Sequence, residues 1–383
     1  MKLIHFADAH FEKDKLDKCV ASANFIVERA NEIQPDLIVS AGDIFNRLQT
    51  LNSKSAVTAA KSFIMRLAEI APVVMVKGNE AHDSAGCLEI FKDLESSYPI
   101  FTTERAETIW LTNSGLFVTE QPTSPAALIH LLSYPEKAWF LSGKESLSID
   151  ESNRLIQEAL QKIFAGFGAI SMDAKCPVIL LGHGNIAGAR LCSGQDLVSQ
   201  DIMLSKHDLM QARADIQCWG HIHECQEVSR YIWYSGSTNH NNWGEVTPRF
   251  ILLHEIERGS CQTTKIQIPS RPLSLHEAMW DPKSGWDDDG ERDWEGAELR
   301  IRVRLLREHS DLITDEQIQH NYPGAHSYKI ERIIVPEERL RAANIVKART
   351  LAEKVTEWGS VVDKDVPPEV LELAGEVERS VGS

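Results

Sequence analysis

Short apolar runs, each closing on small residues followed by Asp, Asn or His, recur along the first two thirds of the chain. The runs are rich in Val, Ile and Leu and are bounded by glycine, so they predict buried strands. Two more runs, at 231–237 and 249–256, predict further strands. The five runs with polar endings are KLIHFADAH (2–10), DLIVSAGD (36–43), APVVMVKGN (71–79), CPVILLGH (176–183) and ADIQCWGHIH (214–223).

Between the first three of these strands, apolar positions return at helical spacing. Segment 16–34 carries Val20, Phe25, Ile26 and Ile33 at that spacing, and segment 53–70 has the same pattern. Alternating strands and helices predict an α/β layered fold. Because the polar residues follow the strands, the functional site is expected beyond the C-terminal edge of the strands.

The pattern changes after about residue 270. Pro and an acidic loop interrupt the chain, and residues 297–306 then alternate strictly between apolar residues and arginine, which predicts a half-buried strand of a small second module. From residue 336 the spacing is helical, with a break at 366–368. The predicted domains are therefore 1–270, 271–335 and 336–383. The two faces of the alternating strand carry Leu299, Ile301, Val303 and Leu305, and Arg300, Arg302 and Arg304.

Composition places the chain among ordinary globular proteins. It has 383 residues, of which 43% are hydrophobic and 25% are charged. The N-terminus has no secretory pattern, and no run approaches the roughly 20 apolar residues that cross a bilayer. The seven cysteines are scattered without a C-x-x-C pair. They indicate reduced thiols in a cytoplasmic protein and argue against a disulfide framework or a thiolate zinc site.

Seven residues at the strand ends form a set of oxygen and imidazole ligands without cysteine. Such a set suits two divalent ions roughly 3.5–4 Å apart that share one carboxylate. In the motifs D-x-H and H-x-H, residues i and i+2 project to the same side of an extended segment, so both can reach one site. The glycines at 42, 78, 182 and 220 let the chain turn sharply beneath the ions. Manganese is expected to support the most activity, with magnesium as the alternative. The seven are Asp8, His10, Asp43, Asn79, His183, His221 and His223.

The formal net charge of −16 is unfavourable for nucleic-acid binding, which depends on local Lys and Arg. Any such activity requires a basic patch, metal ions or a partner protein. The face formed by Arg300, Arg302 and Arg304 is one candidate for DNA contact, and a solvated strand face is the alternative. Histidines outside the ligand set, His5 and His254 among them, are expected to be core or surface residues.

In order, the motifs D-x-H, G-D, G-N, G-H and G-H-x-H resemble those of the calcineurin-like metallophosphoesterases. Within that superfamily, GHIHECQEVSRYIWYSGS (220–237) and NNWGEVTPRFILLHEI (241–256) are similar to the SbcD nuclease family. The resemblance covers residues 1 to about 270 by motif and the rest more loosely. It implies a layered β-sandwich flanked by helices, a small α+β capping domain and a helical C-terminal tail.

The resemblance also implies roles. The chain would be a two-metal DNA nuclease, a 3′–5′ exonuclease and single-strand endonuclease, in double-strand-break repair or phage DNA metabolism. The small domain would bind DNA, and the tail would grip an SbcC-type coiled-coil ABC ATPase. A homodimer without membrane contact, in a bacterial cell or a phage-infected host, is also implied. By position, the first ion would take Asp8, His10 and His223, the second Asn79, His183 and His221, and Asp43 would bridge them.

The sequence departs from the family at the loop GNEAHDS (78–84). The family has the proton-donating His directly after the Asn, whereas here Glu80 and Ala81 separate Asn79 from His82. A bulged insertion would return His82 to that position, and the order HDS favours this register. Glu80 is the rival, but an exposed Glu is ionised at neutral pH and cannot donate a proton. The family also often has a His where this chain has Asn46.

Two other functions stay open on sequence grounds. The same metals would serve a phosphoesterase acting on nucleotides or phosphoproteins. Alternatively, the altered loop would mark a catalytically weakened, metal-binding structural subunit. The long C-terminal extension favours the nuclease over the phosphoesterase.

Overall fold

The computed structural model describes residues 1–141, 148–192, 202–287, 294–335, 348–362 and 364–381. The chain divides into two compact units, residues 1–274 with 296–298 and residues 275–295 with 299–383. Among the described residues, no helix is both long enough and apolar enough to cross a membrane.

In the described residues the strands are β1 (Lys2–Phe6), β2 (Leu37–Ser40), β3 (Val73–Val76), β4 (Ile100–Thr103), β5 (Ala106–Thr112), β6 (Phe117–Val118), β7 (Pro125–Leu132), β8 (Val178–His183), β9 (Asn185–Ile186), β10 (Met203–Leu204), β11 (Ile216–Gly220), β12 (Gln226–Ser229), β13 (Ile232–Tyr234), β14 (Arg249–Glu257), β15 (Ser260–Ile268), β16 (Leu273–Asp281), β17 (Gly285–Asp287), β18 (Glu298–Leu306) and β19 (Ser327–Val335). The helices are α1 (Leu16–Ile33), α2 (Lys54–Ala68), α3 (Glu89–Lys92), α4 (Lys137–Leu141), α5 (Ile149–Ser171), α6 (Lys206–Met210), α7 (Asp315–His320), α8 (Leu351–Val361) and α9 (Pro368–Val381), with 3-10 turns at Leu48–Asn52 and Arg307–His309.

Two sheets form the first unit. One has the order β15-β14-β1-β2-β3-β4, and the other has the order β12-β13-β11-β8-β7-β5-β6. In the first sheet β1 to β4 are parallel, and in the second β7, β8, β11 and β13 are parallel. The carboxyl ends of these parallel strands carry the polar residues predicted from the sequence, so the topology gathers them at the sheet edges.

The two sheets pack face to face. Leu3 and Val39 of the first sheet share one buried cluster with Ile129 and Ile179 of the second. Sheets stacked in this way give the sandwich core. The strands read as near-continuous apolar runs because both faces of each sheet are covered.

Helices cover the outer faces of the sandwich. Helix α1 buries Cys19, Ala23, Ile26 and Ala30, which lie four, three and four residues apart and therefore on one face. With α2 it packs against the outer face of the first sheet, while α5 packs against the second. The predicted α/β layered sandwich is thus confirmed. The stripe of α1 is centred slightly off the predicted one, since Val20, Phe25 and Ile33 are only partly buried.

The second unit is built on a four-stranded sheet in the order β17-β16-β18-β19. Strand β18 follows the predicted alternation, and its four apolar side chains are buried. Ile318 of α7 and Tyr322 are also buried in this unit. The predicted helical tail is present as α8 and α9, separated at Val366–Pro367, whereas residues 336–347 of that prediction lie outside the described residues. Strands β4 to β7 and the long helix α5 were not predicted from the sequence.

Candidate metal centre

Six of the seven predicted ligands converge at the ends of four parallel strands. Asp8 and His10 follow β1, Asp43 follows β2, His183 ends β8, and the remaining two follow β11. Their ligand atoms fall into two separate groups, each within 4.8 Å: Asp8, His10 and His223, and Asp43, His183 and His221. We call these six residues the ligand cluster.

The backbone of the ligand cluster is held in an unfavourable region. Asp8, His10, Asp43 and His221 have φ values of 51°, 48°, 53° and 102°, which non-glycine residues adopt rarely. Such conformations cost on the order of 1–3 kcal/mol each and persist at sites where the surrounding structure imposes them. Here the loops after β1 and β2 hold each other, because the Asp8 and His10 N–H groups donate to the Gly42 and Asp43 carbonyls at 3.0 and 3.1 Å.

Two glycines have distinct reasons to be in this site. Gly42 has a φ of 88° and turns the chain into Asp43. Gly78 is required by space, because a Cβ there would overlap the Asp43 carboxylate. The sharp turn predicted for all four glycines therefore applies to Gly42, while Gly78, like Gly182 and Gly220, lies where neighbouring atoms leave no room for a side chain.

Two ligand histidines have their ring orientation fixed by a partner behind the ring. His183 Nδ1 donates to the Ala41 carbonyl at 2.6 Å, and its Nε2 lies 3.4 Å from Asp43 Oδ2. His223 Nδ1 donates to Glu245 Oε1 at 2.7 Å. A proton held on Nδ1 leaves the Nε2 lone pair for a cation, which is the usual arrangement behind metal-binding histidines.

Glu245 contacts a predicted ligand and was not predicted from the sequence. Its carboxylate is buried and receives the Asn241 backbone N–H at 2.9 Å and the Asn242 amide at 2.9 Å. Arg249 lies 3.4 Å away. A lone Glu in a loop has no periodic or spacing signal, so only the fold connects it to His223, 22 residues before it.

The imidazoles of the ligand cluster differ in the protonation state that their surroundings favour. Burial lowers the pKa of His10 well below its usual value and that of His221 to about 3, which keeps both imidazoles neutral. Burial alone would raise the pKa of Asp43, but His183 and other imidazoles hold it well below its usual range. Burial would lower the pKa of His183, yet Asp43 raises it to about 9.

The arrangement fits divalent ions on geometric grounds. The Nε2 atoms of His10 and His223 face each other at 3.1 Å, close to the separation of two nitrogen ligands with metal bonds of about 2.1 Å. His10 Nδ1 is buried and has no hydrogen-bond partner among the described residues. Without a cation, one Nε2–H can donate to the other Nε2, whereas a bound cation would take the lone pairs of both nitrogens.

Asn79, the seventh predicted ligand, lies beside the cluster and directs its amide nitrogen, rather than its oxygen, at Asp43. Its Nδ2 approaches Asp43 Oδ2 at 3.3 Å, and its Oδ1 accepts the Ala81 N–H at 2.9 Å. Metal binding through the amide oxygen therefore requires the amide to rotate. Its backbone N–H already donates to Asp43 Oδ1 at 3.0 Å, which ties this loop to the carboxylate.

The loop after Asn79 brings His82 back to the site despite the insertion. We call residues 80–85 the donor loop. The N–H groups of His82 and Asp83 both donate to the Asn79 carbonyl, at 3.0 and 2.8 Å. His82 Nδ1 contacts the Asn46 carbonyl, its ring lies 4.6 Å from that of His10, and its Nε2 is 4.0 Å from Asp43 Oδ2. The ring thus reaches the ligand cluster and is close enough to His10 and Asp43 to join them as a ligand.

Asp83 anchors the donor loop from below. Its buried carboxylate accepts the Gly78 N–H at 2.9 Å and the Phe45 N–H at 3.2 Å. These bonds tie the donor loop to the turn after β2. Asp83, which directly follows His82, therefore holds the loop in place.

Glu80 does not face the ligand cluster. Its carboxylate pairs with Lys77 Nζ at 2.9 Å and accepts the Ala85 N–H at 3.3 Å. Partial burial would raise the pKa of Glu80, but the hydrogen bond and charge of Lys77 lower it. An anion that is paired in this way has no proton to give at neutral pH.

The three arginines predicted to contact DNA are ion-paired within their own sheet. Arg300 lies 2.7 Å from Glu331, and Arg302 and Arg304 each lie 3.1 Å from Glu277. Lys329 also pairs with Glu331, at 3.0 Å. Four cations thus share two carboxylates, which partly neutralise them, and DNA contact here stays a prediction.

Large parts of this chain are similar to known proteins. Residues 1–225 match the sequence profile of the family described as calcineurin-like phosphoesterase. The chain is similar to the SbcD component of the SbcCD nuclease of Escherichia coli (strain K12), with 25% identity over 62% of this chain and 60% of that protein. It is also similar to the SbcD component of the SbcCD nuclease of Staphylococcus saprophyticus, with 25% identity over 73% of this chain and 71% of that protein. The matched region thus spans less than two thirds of the Escherichia coli relative.

One solved structure has a weak similarity to this chain. It is a dimetal phosphatase from Danio rerio, with a TM-score of 0.44 and 12% identity over 72% of this chain and 99% of that one.

Proposed function

The chain belongs to the calcineurin-like phosphoesterase family, and we propose that it is a two-metal DNA nuclease acting as one subunit of an SbcCD-type DNA end-processing complex. Within that complex it would be a 3′–5′ exonuclease and a single-strand endonuclease. The general chemistry is metal-dependent phosphodiester hydrolysis. The observation that carries this chemistry is the convergence of the ligand cluster, with His82, at one end of the sandwich.

The ligand cluster and Asn79 would hold two divalent ions. Asp8, His10 and His223 would bind the first, and His183, His221 and Asn79 the second, with Asp43 between them. When bound, such ions activate water for attack and neutralise charge on the phosphoryl oxygens. We propose manganese as the preferred ion, since nitrogen and oxygen ligands without thiolate suit it, with magnesium as the alternative.

His82 would donate the proton to the leaving 3′ oxygen. Its Nδ1 is occupied by the Asn46 carbonyl, so the ring presents Nε2 on the side of Asp43. An imidazole titrates close to neutral pH and can donate where a carboxylate cannot. The partial exposure of the ring, 28% for the side chain, allows it to recover a proton from solvent.

DNA is proposed as the substrate because the curated relatives are named as components of a nuclease. The second unit would add phosphate contacts through the arginine face of β18, once Arg300, Arg302 and Arg304 exchange their carboxylate partners for phosphate. The overall charge of −16 opposes strong binding by the chain alone. A partner ATPase would therefore supply most of the affinity for DNA.

The tail supports the proposal of a protein partner. In α8 and α9, Trp358 and Leu373 are 54% and 58% exposed, and Val370 and Val377 are also exposed. The two helices are joined by a hydrogen bond of 3.1 Å from the Leu351 N–H to Glu378. An apolar stripe on a paired helical tail suits docking on a coiled coil of an SbcC-type ATPase. The homodimer and the cytoplasmic location stay predictions from the resemblance.

The test is nicking of a single-stranded circular DNA and digestion of a 5′-labelled duplex with manganese, by the purified chain and by the Asp43→Asn variant. We expect metal-dependent shortening from the 3′ end and nicking of single strands, both lost in the variant. Activity on nucleotides or phosphopeptides without any on DNA would favour the small-substrate phosphoesterase. Metal binding without hydrolysis of any phosphodiester would favour the structural subunit.

A further inference from the structure

Lys77 is a buried ammonium at the end of β3, directly before Gly78 and Asn79. Its side chain is only 2% exposed. A buried charge is costly unless it is paired and hydrogen-bonded. Lys77 is paired twice, with Glu80 at 2.9 Å and with Glu136.

The two carboxylates belong to different segments beside the ligand cluster. Glu136 follows β7, three residues after Ser133, whose hydroxyl accepts the Lys77 N–H at 3.2 Å. In the same segment the Tyr134 N–H donates to the Lys77 carbonyl at 3.0 Å. The Tyr134 ring lies 5.6 Å from the His221 ring. Lys77 therefore connects the donor loop with a segment that packs on a ligand histidine.

Glu80 holds the donor loop at the point where the insertion begins. One carboxylate oxygen pairs with Lys77 and the other accepts the Ala85 N–H at 3.3 Å. Asp83 fixes the same loop from below, through Gly78. His82 lies between these two anchors, so its position depends on both.

We propose that Lys77 and Glu80 are positioning residues, which fold the two inserted residues outward and thereby set His82 against the ligand cluster. The role given to His82 rests on the proposed function, and so does the kinetic measurement described below. Glu80 touches neither the ligand cluster nor the place of the reacting atoms, and it acts through His82. The insertion is thus compensated by an anchor that the inserted Glu itself supplies.

The test compares Glu80→Gln with Glu89→Gln. Glu89 also forms an ion pair with a lysine three residues away, Lys92, at 2.5 Å, and it is comparably exposed. The Glu80 change removes the charge on the anchor and keeps the size of the side chain. The Glu89 change measures the effect of losing an exposed ion pair away from the ligand cluster.

The first readout is amide hydrogen exchange of residues 79–86, which does not depend on activity. Loss of the anchor opens the turn, so we expect exchange to quicken by roughly 10-fold in Glu80→Gln and not in Glu89→Gln. Unchanged exchange in Glu80→Gln would overturn the proposal. Hydrogen exchange tests whether Glu80 anchors the loop even if the wild-type chain hydrolyses no phosphodiester. Absence of hydrolysis would refute the proposed function and would leave this test of the anchor valid.

The second readout is a double-variant cycle on a manganese-loaded chain. We expect Glu80→Gln to lower DNA cleavage by about 10-fold, because small displacements of a catalytic group are costly. It should change hydrolysis of bis(p-nitrophenyl) phosphate, whose leaving group needs little protonation, by less than about 2-fold. Adding Glu80→Gln to His82→Ala should cause no further loss, since residues acting through one group are not additive. An additive loss, or an equal loss on both substrates, would show that Glu80 acts by another route.

Discussion

The ligand cluster and the donor loop meet at Asp43, yet they are built differently. Asp8, His10, Asp43 and His183 are at most 2% exposed, and three of the four have strained backbone. Glu80 and Ala81 are exposed, and the loop is held by side-chain anchors. A residue inserted into a strand end would shift every ligand on it, whereas an anchored loop can bulge. A bulge at residues 80–81 is therefore compatible with an unchanged ligand cluster.

The largest effect is expected from breaking the ligand cluster. Asp43→Ala or His221→Ala should reduce hydrolysis by more than about 10⁴-fold, because removing a metal ligand removes most of the charge stabilisation at the reacting phosphate. Bound manganese, counted by mass spectrometry of the metal, should fall below two ions per chain. His207→Ala, an exposed histidine on α6, is the control and should keep both. Full hydrolysis by either ligand variant would rule this site out.

Breaking the donor loop should cost less and should depend on the substrate. His82→Ala is expected to slow DNA cleavage by roughly 10²–10⁴-fold, the usual worth of a positioned acid. Hydrolysis of bis(p-nitrophenyl) phosphate should fall far less, and metal occupancy should stay unchanged. Loss of a metal ion in this variant would instead make His82 a ligand, since it lies close enough to His10 and Asp43.

A smaller effect is expected from the support behind the ligand cluster. Glu245→Gln keeps the shape of the side chain but weakens the hydrogen bond to His223 Nδ1, 2.7 Å in the wild-type chain. Loss of such a partner typically costs about 10–100-fold in metal affinity or activity. Manganese titration by calorimetry should show this for one ion, with Glu255→Gln, an exposed strand residue, as the control. Equal weakening of both ions would argue for a general loss of folding.

The sequence predicted the ligand cluster better than its supports. Strand ends marked by Gly, Asp and His have a local signal, and parallel strands bring such ends together whatever lies between them. Glu245 and Lys77 have no such signal, because their partners are set by tertiary packing. Among the strands that were not predicted, β4 and β6 are short and only partly buried, which leaves little pattern in the sequence. The insertion at Glu80 was recognised, but its anchor could be seen only in the fold.

The smallest effect concerns the core beneath the ligand cluster. His5 and His254 are buried with rings 5.6 Å apart, and burial lowers the pKa of His5 to about 3 and that of His254 well below its usual value. The unfolded chain takes up protons near pH 6.5 and the folded chain does not, so stability is full above that pH and falls below it. At pH 5.5 the free energy of unfolding should be lower by on the order of 1 kcal/mol per imidazole.

Urea unfolding between pH 8 and pH 5 measures this loss. His254→Asn keeps a polar atom near Thr263, the present partner of the ring at 2.9 Å, and should flatten the pH dependence. An unchanged slope in that variant would show that other groups set the acid limit.

The contrast between a fixed ligand cluster and a displaced proton donor is tested most directly by anomalous diffraction from crystals of the chain grown with manganese. We expect two peaks, one bounded by Asp8, His10 and His223 and the other by His183, His221 and a rotated Asn79. Asp43 should contact both, and His82 should face them without binding either. A single peak would refute the two-metal site, and His82 in contact with a metal ion would refute its role as a free proton donor.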